Sequence, residues 1–234
     1  MTLTAHIAAL RTGDPVAIAG ILFDMDGTLV DSIPAVEAAW RLWAREHDVP
    51  EPSAALHGKT GRAVVTASPL ALARHADAEH RLMEIEARPG QVVDPLPGAR
   101  TLLRSLPSNR WGVVTSARRV VALSRLGGTD LPVPSVLITG DDVTNGKPHP
   151  EPFARGRGAL PASPPHLPVV AVEDTANGAL SAAQAGCLVI GVHGTEPLAA
   201  LEECAHLVVE SLQSLVVEAH GGVAHGGVVR LRIR

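Results

Sequence analysis

The sequence contains no tyrosine, and aromatic residues make up only 2% of its 234 positions. This scarcity excludes the aromatic stacking platforms that bind single-stranded nucleic acid. The formal net charge of −4 gives no general basic surface for duplex DNA or for an anionic membrane. We therefore expect neither nucleic acid nor a membrane as a partner.

Cysteines and long apolar segments are scarce as well. Cys187 and Cys204 form neither a disulfide framework nor the spacing of a metal site, which fits a reducing compartment. The first fifteen residues lack the basic-then-apolar pattern of a signal peptide, and no apolar run has the length of a membrane span. We expect a soluble, cytoplasmic protein that is a monomer or a weak homodimer.

The apolar residues that are present lie in short, continuous runs that stop at polar residues. Hydrophobic residues make up 46% of the chain, which is enough for a sizeable core. Continuous β-branched runs without alternation are typical of strands buried on both faces of a parallel sheet. The predicted strands are 16–23, 111–114, 135–138, 169–172, 187–192 and 207–209.

Helical stretches separate these strands. One of them, 175–185, begins with the N-cap type residue Thr175 and is followed by Gly186. Weaker candidates are 99–106, 118–126 and 150–157. The alternation from about 95 to 210 predicts an α/β fold with a Rossmann-like, doubly wound parallel sheet.

Residues 33–93 interrupt this alternation. Val36, Trp40 and Trp43 share one helical face, 70–87 is helix-prone, and no strand run is evident. We predict a small helical domain inserted after the first strand. The rest of the chain, 1–32 and 94–234, is then the α/β core.

The end of the sequence has a pattern of its own. Residues 212–217 and 228–233 are strand-like and flank the glycine-rich segment AHGGVAHGG. This predicts a terminal hairpin within 213–234. We interpret the glycine-rich segment as its turn; metal binding by the two histidines is the alternative.

The most informative segment follows the first apolar run directly. Asp24 and Asp26 stand two residues apart, and they repel each other unless a cation or a shared proton compensates. Oxygen donors of this kind suit Mg²⁺. Gly27 allows a sharp turn, and Thr28 can bond turn amides. An acidic turn that caps a following helix is the alternative interpretation of such a pair.

Other predicted strand ends bring further polar groups to the same place, because the carboxyl ends of parallel strands share one edge of a sheet. Thr115 and Ser116 follow one strand, Glu173 and Asp174 follow another, and Lys147 lies in the loop after a third. Together with Asp24 and Asp26 they supply the carboxylates, hydroxyls and ammonium that phosphoryl transfer requires. Taken singly, they could instead be a strand cap, a helix N-cap pair and a solvated lysine.

In chain order, the segments DMDGT, VVTS, NGKPHPEPF and VEDTANG resemble the four motifs of haloacid dehalogenase superfamily hydrolases. The similarity covers roughly residues 18–210, with the helical insertion where one subgroup has its cap domain. The segments around VVTS and NGKPHPEPF resemble the branch of glycerol-3-phosphatases and 2-deoxyglucose-6-phosphatases, near the β-phosphoglucomutase-like proteins. The cap departs from that branch, because Lys59, Gly61 and Ala63 stand where its members tend to have an Arg and an Asp.

This resemblance implies roles for the acidic residues. Asp24 is the expected nucleophile, which forms an aspartyl-phosphate, and Asp26 protonates the leaving alcohol and then activates water. Mg²⁺ is expected on the Asp24 carboxylate, the Asp26 main-chain carbonyl and Asp174. Glu173 is either a further ligand or a neighbour of the ligands.

The resemblance also implies a phosphate site. Thr115 is expected to donate its hydroxyl to the phosphoryl group, and Lys147 to neutralise charge. The amides of Ser116 and Ala117 are expected to bind the anion, because a helix begins there. Asp31 and Ser32 are expected to cap the first helix of the cap domain.

Substrate choice is expected to depend on the loop His57–Gly58–Lys59–Thr60–Gly61–Arg62. Its glycines and its two cations, Lys59 and Arg62, suit a loop that closes over the site. An ordinary solvated loop between helices is the alternative.

The expected function is that of a Mg²⁺-dependent phosphomonoesterase acting on a small sugar or polyol phosphate, a small phosphorylated metabolite. One alternative is a β-phosphoglucomutase-like sugar phosphate mutase. A second is a catalytically silent binding domain on the same fold.

Overall fold

The computed structural model of the protein describes residues 2–57, 59–88, 93–220 and 228–234. Gly58 and the glycine-rich turn of the predicted hairpin, 221–227, lie outside the described residues. The helices and strands are α1 (Leu3–Arg11), β1 (Val16–Ile18), β2 (Gly20–Phe23), β3 (Val30–Asp31), α2 (Ile33–His47), α3 (Gly61–Thr66), α4 (His75–Glu86), β4 (Asp94–Pro95), α5 (Ala99–Ser105), β5 (Trp111–Val114), α6 (Arg119–Gly127), β6 (Val136–Ile138), α7 (Glu151–Ala159), β7 (Val169–Glu173), α8 (Ala176–Gln184), β8 (Leu188–Val192), α9 (Leu198–Cys204), β9 (Leu207–Val209), β10 (Leu215–His220) and β11 (Val228–Ile233).

The main sheet has six parallel strands in the order β6-β5-β2-β7-β8-β9, which confirms the predicted α/β fold. Successive residues of β2 enter different hydrophobic clusters: Ile21 and Phe23 pack with Leu102 of α5, whereas Leu22 packs with Phe153 of α7. Both faces of this strand are therefore covered, which explains why the sequence shows a continuous apolar run there.

The strand order places a topological switch point beside β2. The chain continues from β2 to β5 on one side of it and returns through β7 on the other. At the carboxyl end of β2, the Asp24 amide donates to the carbonyl of Val172 at 2.9 Å. Crevices at such switch points are the usual ligand sites of open α/β sheets.

The predicted strand 16–23 is wrong as a single element. β1 pairs with β11 in a second sheet, while β2 pairs with β5 and β7 in the main sheet. The chain leaves one sheet for the other at Ala19–Gly20, where a Cβ on Gly20 would lie 2.6 Å from the Arg110 carbonyl oxygen. Both strands are largely buried, so hydrophobicity alone does not reveal the break.

The second sheet has three antiparallel strands in the order β1-β11-β10. Its β10–β11 pairing confirms the predicted terminal hairpin, with Val217 opposite Leu231. Helix α1 was not expected from the sequence; Thr2 caps it by accepting a hydrogen bond from the Ala5 amide. Leu10 of α1 packs into the same cluster as Leu231.

Helices α2, α3 and α4 have a hydrophobic cluster of their own. Trp43, Val64 and Leu82 lie in it, and the Trp43 indole N–H donates to the Ala78 carbonyl at 2.8 Å. The antiparallel pair β3–β4 joins the start and end of this segment. We call α2 through α4, residues 33–86, the helical segment.

The start of α2 differs from expectation. Ser32 occupies the N-cap position, but its backbone is helical and its side chain makes no capping hydrogen bond. Asp31 instead belongs to β3, where it lies opposite Asp94. Pro34 in the first turn supplies the local helix-start signal.

Among the described helices, none is both long and apolar enough to cross a membrane.

Candidate active site

The site is centred on a buried ion pair at the carboxyl end of the main sheet. The Lys147 Nζ donates to Asp24 Oδ1 at 2.5 Å and to Glu173 Oε1 at 2.6 Å. The Lys147 ammonium also lies 5.1 Å from the centre of the Phe153 ring. Strand β2 positions Asp24, β7 positions Glu173, and the loop before α7 positions Lys147. Residues far apart in sequence therefore meet as the strand-end pattern predicts.

The second oxygen of Glu173 is also engaged. Its Oε2 accepts hydrogen bonds from the amides of Asp174 and Thr175, at 3.0 and 2.8 Å, and from the Thr175 hydroxyl at 2.8 Å. A Cβ on Gly178 would overlap the Glu173 carboxylate, so the first turn of α8 requires glycine there. Glu173 thus holds both Lys147 and the loop that follows β7.

Asp174 lies beside the turn that follows β2. The Thr28 hydroxyl donates to Asp174 Oδ1 at 2.9 Å, and the Thr195 hydroxyl donates to Oδ2. Gly27 has φ +86°, and a Cβ there would overlap the Asp174 carboxylate. Thr195 was not expected from the sequence, since it follows β8 outside the four motif-like segments.

The charges of this cluster are unbalanced. Burial raises the pKa of Asp24 well above its ordinary value; Lys147 lowers this pKa, and Glu173 and Asp174 raise it further. Burial and the neighbouring Glu173 raise the pKa of Asp174 to about 7, against the opposing hydrogen bonds from Thr195 and Thr28. Burial lowers the pKa of Lys147, but Asp24 and Glu173 outweigh it and raise this pKa overall. Three buried carboxylates share one ammonium, so an additional cation would relieve their repulsion.

The donor set fits a hard cation that takes few protein ligands. Within the described part of the chain, no three His, Cys, Asp or Glu side chains form a group that could hold a metal ion. The negative charge of Asp174 nevertheless contributes to the raised pKa of Asp24, so the two carboxylates lie near each other. Two carboxylates, with main-chain oxygen and water completing the shell, are a set that Mg²⁺ accepts.

The groups that were predicted to bind phosphate also lie at this edge of the sheet, with one correction. Thr115 and Ser116 follow β5 and line the same cleft as Asp24. The Ala117 amide, expected to bind an anion, donates to the Thr115 hydroxyl oxygen at 3.1 Å. Helix α6 begins only at Arg119, so Ala117 lies in the preceding turn. Because the Thr115 hydroxyl oxygen accepts this hydrogen bond, the hydroxyl proton remains available for donation to another group.

Asp26 has a partner that the sequence did not suggest. The Arg125 Nη1 donates to Asp26 Oδ1 at 2.8 Å, and the Arg125 Nη2 lies 3.8 Å from Glu86 Oε1. Arg125 belongs to α6 and is 4% exposed. Glu86 is the last residue of α4, and burial raises its pKa to about 7 despite the nearby Arg125. No motif marks either residue.

The cleft between the helical segment and the main sheet has a volume of about 1650 Å³. His57, Lys59 and Arg62 line it from the helical segment. The His57 ring stacks on Trp40 at 5.0 Å, and burial lowers its pKa. Lys59 is exposed, and the Arg62 Nε lies 3.5 Å from the Glu79 carboxylate. Gly58, the remaining predicted member of this loop, lies outside the described residues.

Comparison with known proteins identifies the family. The family model for haloacid dehalogenase-like hydrolases matches residues 18–186. The chain belongs to this family. Hexitol phosphatase A of Escherichia coli is 39% identical over 207 residues, 85% of this chain and 93% of that protein.

Two further relatives extend this result. Glycerol-1-phosphate phosphohydrolase 1 of Saccharomyces cerevisiae is 33% identical, covering 78% of this chain and 77% of that protein. A crystal structure of a hydrolase from Pseudomonas syringae superimposes with a TM-score of 0.69 at 22% identity, covering 83% of this chain and 94% of that chain. The predicted family is confirmed, and the last of these comparisons shows the fold alone.

The family match spans part of the structure described above. Asp24, Asp26, Thr115, Lys147 and Asp174 all fall within residues 18–186, as does the helical segment. Helix α1, strand β1 up to Ala17, the hairpin β10–β11 and Thr195 fall outside it. The haloacid dehalogenase-like part of the chain therefore contains the buried ion pair and both sides of the cleft.

The crowding of carboxylates predicts that Asp174→Asn raises the unfolding temperature of the metal-free protein. The pKa of Asp174 is raised to about 7 in the folded protein, against about 3.9 for an unfolded chain, so its ionisation lowers the stability progressively between these two pH values, and the loss is complete above about pH 7. We expect a gain of about 1 kcal/mol, or roughly 2–4 °C, at pH 8.5, and a smaller gain at pH 5, where wild-type Asp174 is protonated. The measurement is thermal unfolding in EDTA.

The exposed Asp14 offers a matched control. Asp14→Asn should change the stability by less than about 0.5 kcal/mol at both pH values. An Asp174→Asn protein that is no more stable than wild type at pH 8.5 would show that the carboxylate repulsion is already compensated.

Proposed function

We propose that the protein is a Mg²⁺-dependent phosphomonoesterase that hydrolyses a small sugar or polyol phosphate through an aspartyl-phosphate. The observation that carries this proposal is the Asp24 carboxylate held by buried Lys147 at the carboxyl end of β2, in a cleft that Asp26 also lines. The family membership and the relatives that are named as hexitol and glycerol phosphate phosphatases support it.

In the first half of the reaction, the Asp24 carboxylate attacks the phosphorus atom. A P–O bond forms at Asp24 while the P–O bond to the alcohol breaks, and Asp26 gives its proton to the leaving oxygen. Lys147 favours the ionised form of Asp24 and offsets the negative charge of the phosphoryl group. The close contact of Lys147 with Glu173 fixes the ammonium for this purpose.

In the second half, water attacks the phosphorus atom of the aspartyl-phosphate. Asp26, now ionised, takes a proton from this water, and the bond between phosphorus and Asp24 breaks. Free phosphate leaves, and both carboxyl groups return to their starting states. Asp26 thus acts first as the acid and then as the base.

Mg²⁺ would be held by the carboxylates of Asp24 and Asp174 and by the main-chain carbonyl of Asp26. When bound, it supplies positive charge to the phosphoryl oxygens and to the crowded carboxylates. Glu173 is assigned to Lys147 and the β7 loop, because its Oε1 accepts from the Lys147 ammonium and its Oε2 accepts three hydrogen bonds from Asp174 and Thr175.

The phosphoryl group itself is assigned to Thr115, Ser116 and Lys147. Thr115 donates its hydroxyl proton, and Lys147, which lies against Asp24, contributes positive charge.

Substrate selection is assigned to the helical segment, acting as a cap on the core. In this division, residues 33–93 are the cap and residues 1–32 and 94–234 are the core. Lys59 and Arg62 face the cleft from the cap, while His57 supports the loop by stacking on Trp40. Polyhydroxylated leaving groups suit such a polar lining.

Phosphate release tests the proposed function directly. The panel contains hexitol phosphates, glycerol phosphates, hexose 6-phosphates, 2-deoxyglucose 6-phosphate, β-glucose 1-phosphate and phosphoglycolate, each with Mg²⁺ and with EDTA. We expect Mg²⁺-dependent release concentrated on one or two sugar or polyol phosphates. Conversion of β-glucose 1-phosphate to the 6-phosphate without release of free phosphate would identify a mutase instead. No reaction with any substrate would favour a catalytically silent binding domain.

Asp24→Asn tests the assigned nucleophile. The substitution keeps the volume but removes the attacking oxygen charge, so phosphate release should fall by at least about 10³-fold. Circular dichroism and thermal unfolding should show a folded protein. Asp14→Asn is the control and should retain wild-type release; near-wild-type release by Asp24→Asn would contradict the mechanism.

Lys59→Ala tests the role of the cap loop in selectivity. If Lys59 contacts substrate hydroxyls, kcat/KM for the preferred substrate should fall about three- to tenfold more than kcat/KM for 4-nitrophenyl phosphate. This factor corresponds to the loss of one hydrogen bond. Arg45→Ala, on the exposed face of α2, should leave both values unchanged. Equal losses on all substrates would make Lys59 structural.

A further inference from the structure

Arg125 connects the predicted acid–base residue to the helical segment. Its Nη1 donates to Asp26 Oδ1 at 2.8 Å, and its Nη2 lies 3.8 Å from Glu86 Oε1. Asp26 follows β2 in the core, Arg125 lies on α6, and Glu86 is the last residue of α4. All three side chains line the cleft that contains Asp24.

Burial of the Arg125 guanidinium removes most of its hydration, which is energetically unfavourable. Arg125 is 4% exposed, and its Nε and Nη2 atoms form no hydrogen bond within the described structure. Burial lowers the pKa of Arg125, and the charges of Asp26 and Glu86 more than offset this effect. A buried ion pair with unsatisfied donors is a poor source of stability, since an apolar side chain of similar volume avoids the desolvation. The position of Arg125 next to Asp26 indicates a role in the site and not in stability.

The ion pairs between α4 and the α6 region form two levels. Glu79 and Glu86 are seven residues apart on α4. Arg118, the N-cap residue of α6, and Arg125, within α6, are also seven residues apart. Residues at this spacing lie on the same face of a helix. At the outer level, Arg118 joins Glu79 at 3.2 Å to Asp141 at 2.5 Å. At the inner level, Arg125 joins Glu86 to Asp26. Only the inner level touches a residue of the proposed chemistry.

We propose that Arg125 is a positioning residue that orients the Asp26 carboxyl group for proton transfer to the leaving group, and that Glu86 holds Arg125 in place from the helical segment. This inference rests on the proposed function. It makes the geometry of the acid depend on the end of α4 lying against the core. Proton donation is then most effective when the helical segment covers the cleft.

The chemistry of the leaving group separates this role from a purely structural one. A sugar or polyol leaves as a basic alkoxide and needs a proton from Asp26, whereas 4-nitrophenolate is a stable anion and leaves without one. A misoriented Asp26 therefore slows the first substrate class selectively. A general loss of folding or of phosphate binding slows both classes alike.

The test compares kcat/KM for the preferred sugar or polyol phosphate with kcat/KM for 4-nitrophenyl phosphate, because this parameter includes the departure of the leaving group. We expect Arg125→Met to lower the first value at least about tenfold more than the second. Glu86→Gln should shift the ratio in the same direction by a smaller factor. Arg125→Lys, which keeps the charge without the planar fork, should fall between Arg125→Met and wild type.

Arg118→Met is the matched control, because it removes an arginine from the same interface at the outer level. We expect it to leave the ratio of the two kcat/KM values unchanged. Thermal unfolding monitors each variant, and if Arg125→Met does not fold, Arg125→Lys and Glu86→Gln decide the question.

Equal losses on both substrates in folded Arg125 and Glu86 variants would overturn the inference while the phosphatase assignment stands. An equal shift of the ratio by Arg118→Met would also overturn it, since the effect would then belong to the whole interface. Absence of phosphate release by the wild-type protein on every substrate would overturn the proposed function and this inference together.

Discussion

The ammonium of Lys147, enclosed between the carboxylates of Asp24 and Glu173, is the interaction on which the site depends. A buried carboxylate at a strand end is unfavourable unless a cation lies against it. Strand β2 delivers one carboxylate and β7 the other, so the ion pair forms only when the two strands are adjacent. The same parallel pairing that builds the sheet therefore brings together the charges that the proposed chemistry uses.

The helical segment is attached to this centre by charge as well as by covalent connection. Its own hydrophobic cluster is separate from the two that cover the main sheet. Across the cleft, the ion pairs of Glu79 and Glu86 with arginines of the α6 region join it to the core. Polar contacts of this kind separate at lower free-energy cost than a shared apolar core, which suits a surface that must admit and release a substrate.

Much of this arrangement could be predicted from the sequence, and the failures have physical causes. Continuous apolar runs imply parallel strands, and parallel strands imply that Asp24, Thr115, Lys147 and Asp174 share an edge. Arg125 escaped prediction because it reaches Asp26 across 99 positions from the middle of a helix, where no local pattern distinguishes a buried arginine from a solvated one. The break between β1 and β2 was missed because burial, which the pattern reports, is the same in both sheets.

The junction at Ala19 gives the second sheet an influence on the site. β1 pairs with β11, more than 200 positions later in the chain, and one residue separates β1 from β2, the strand that Asp24 follows. The pairing of β1 with β11 and the pairing of β2 with β5 and β7 therefore constrain one short stretch of chain that leads directly to the Asp24 carboxylate.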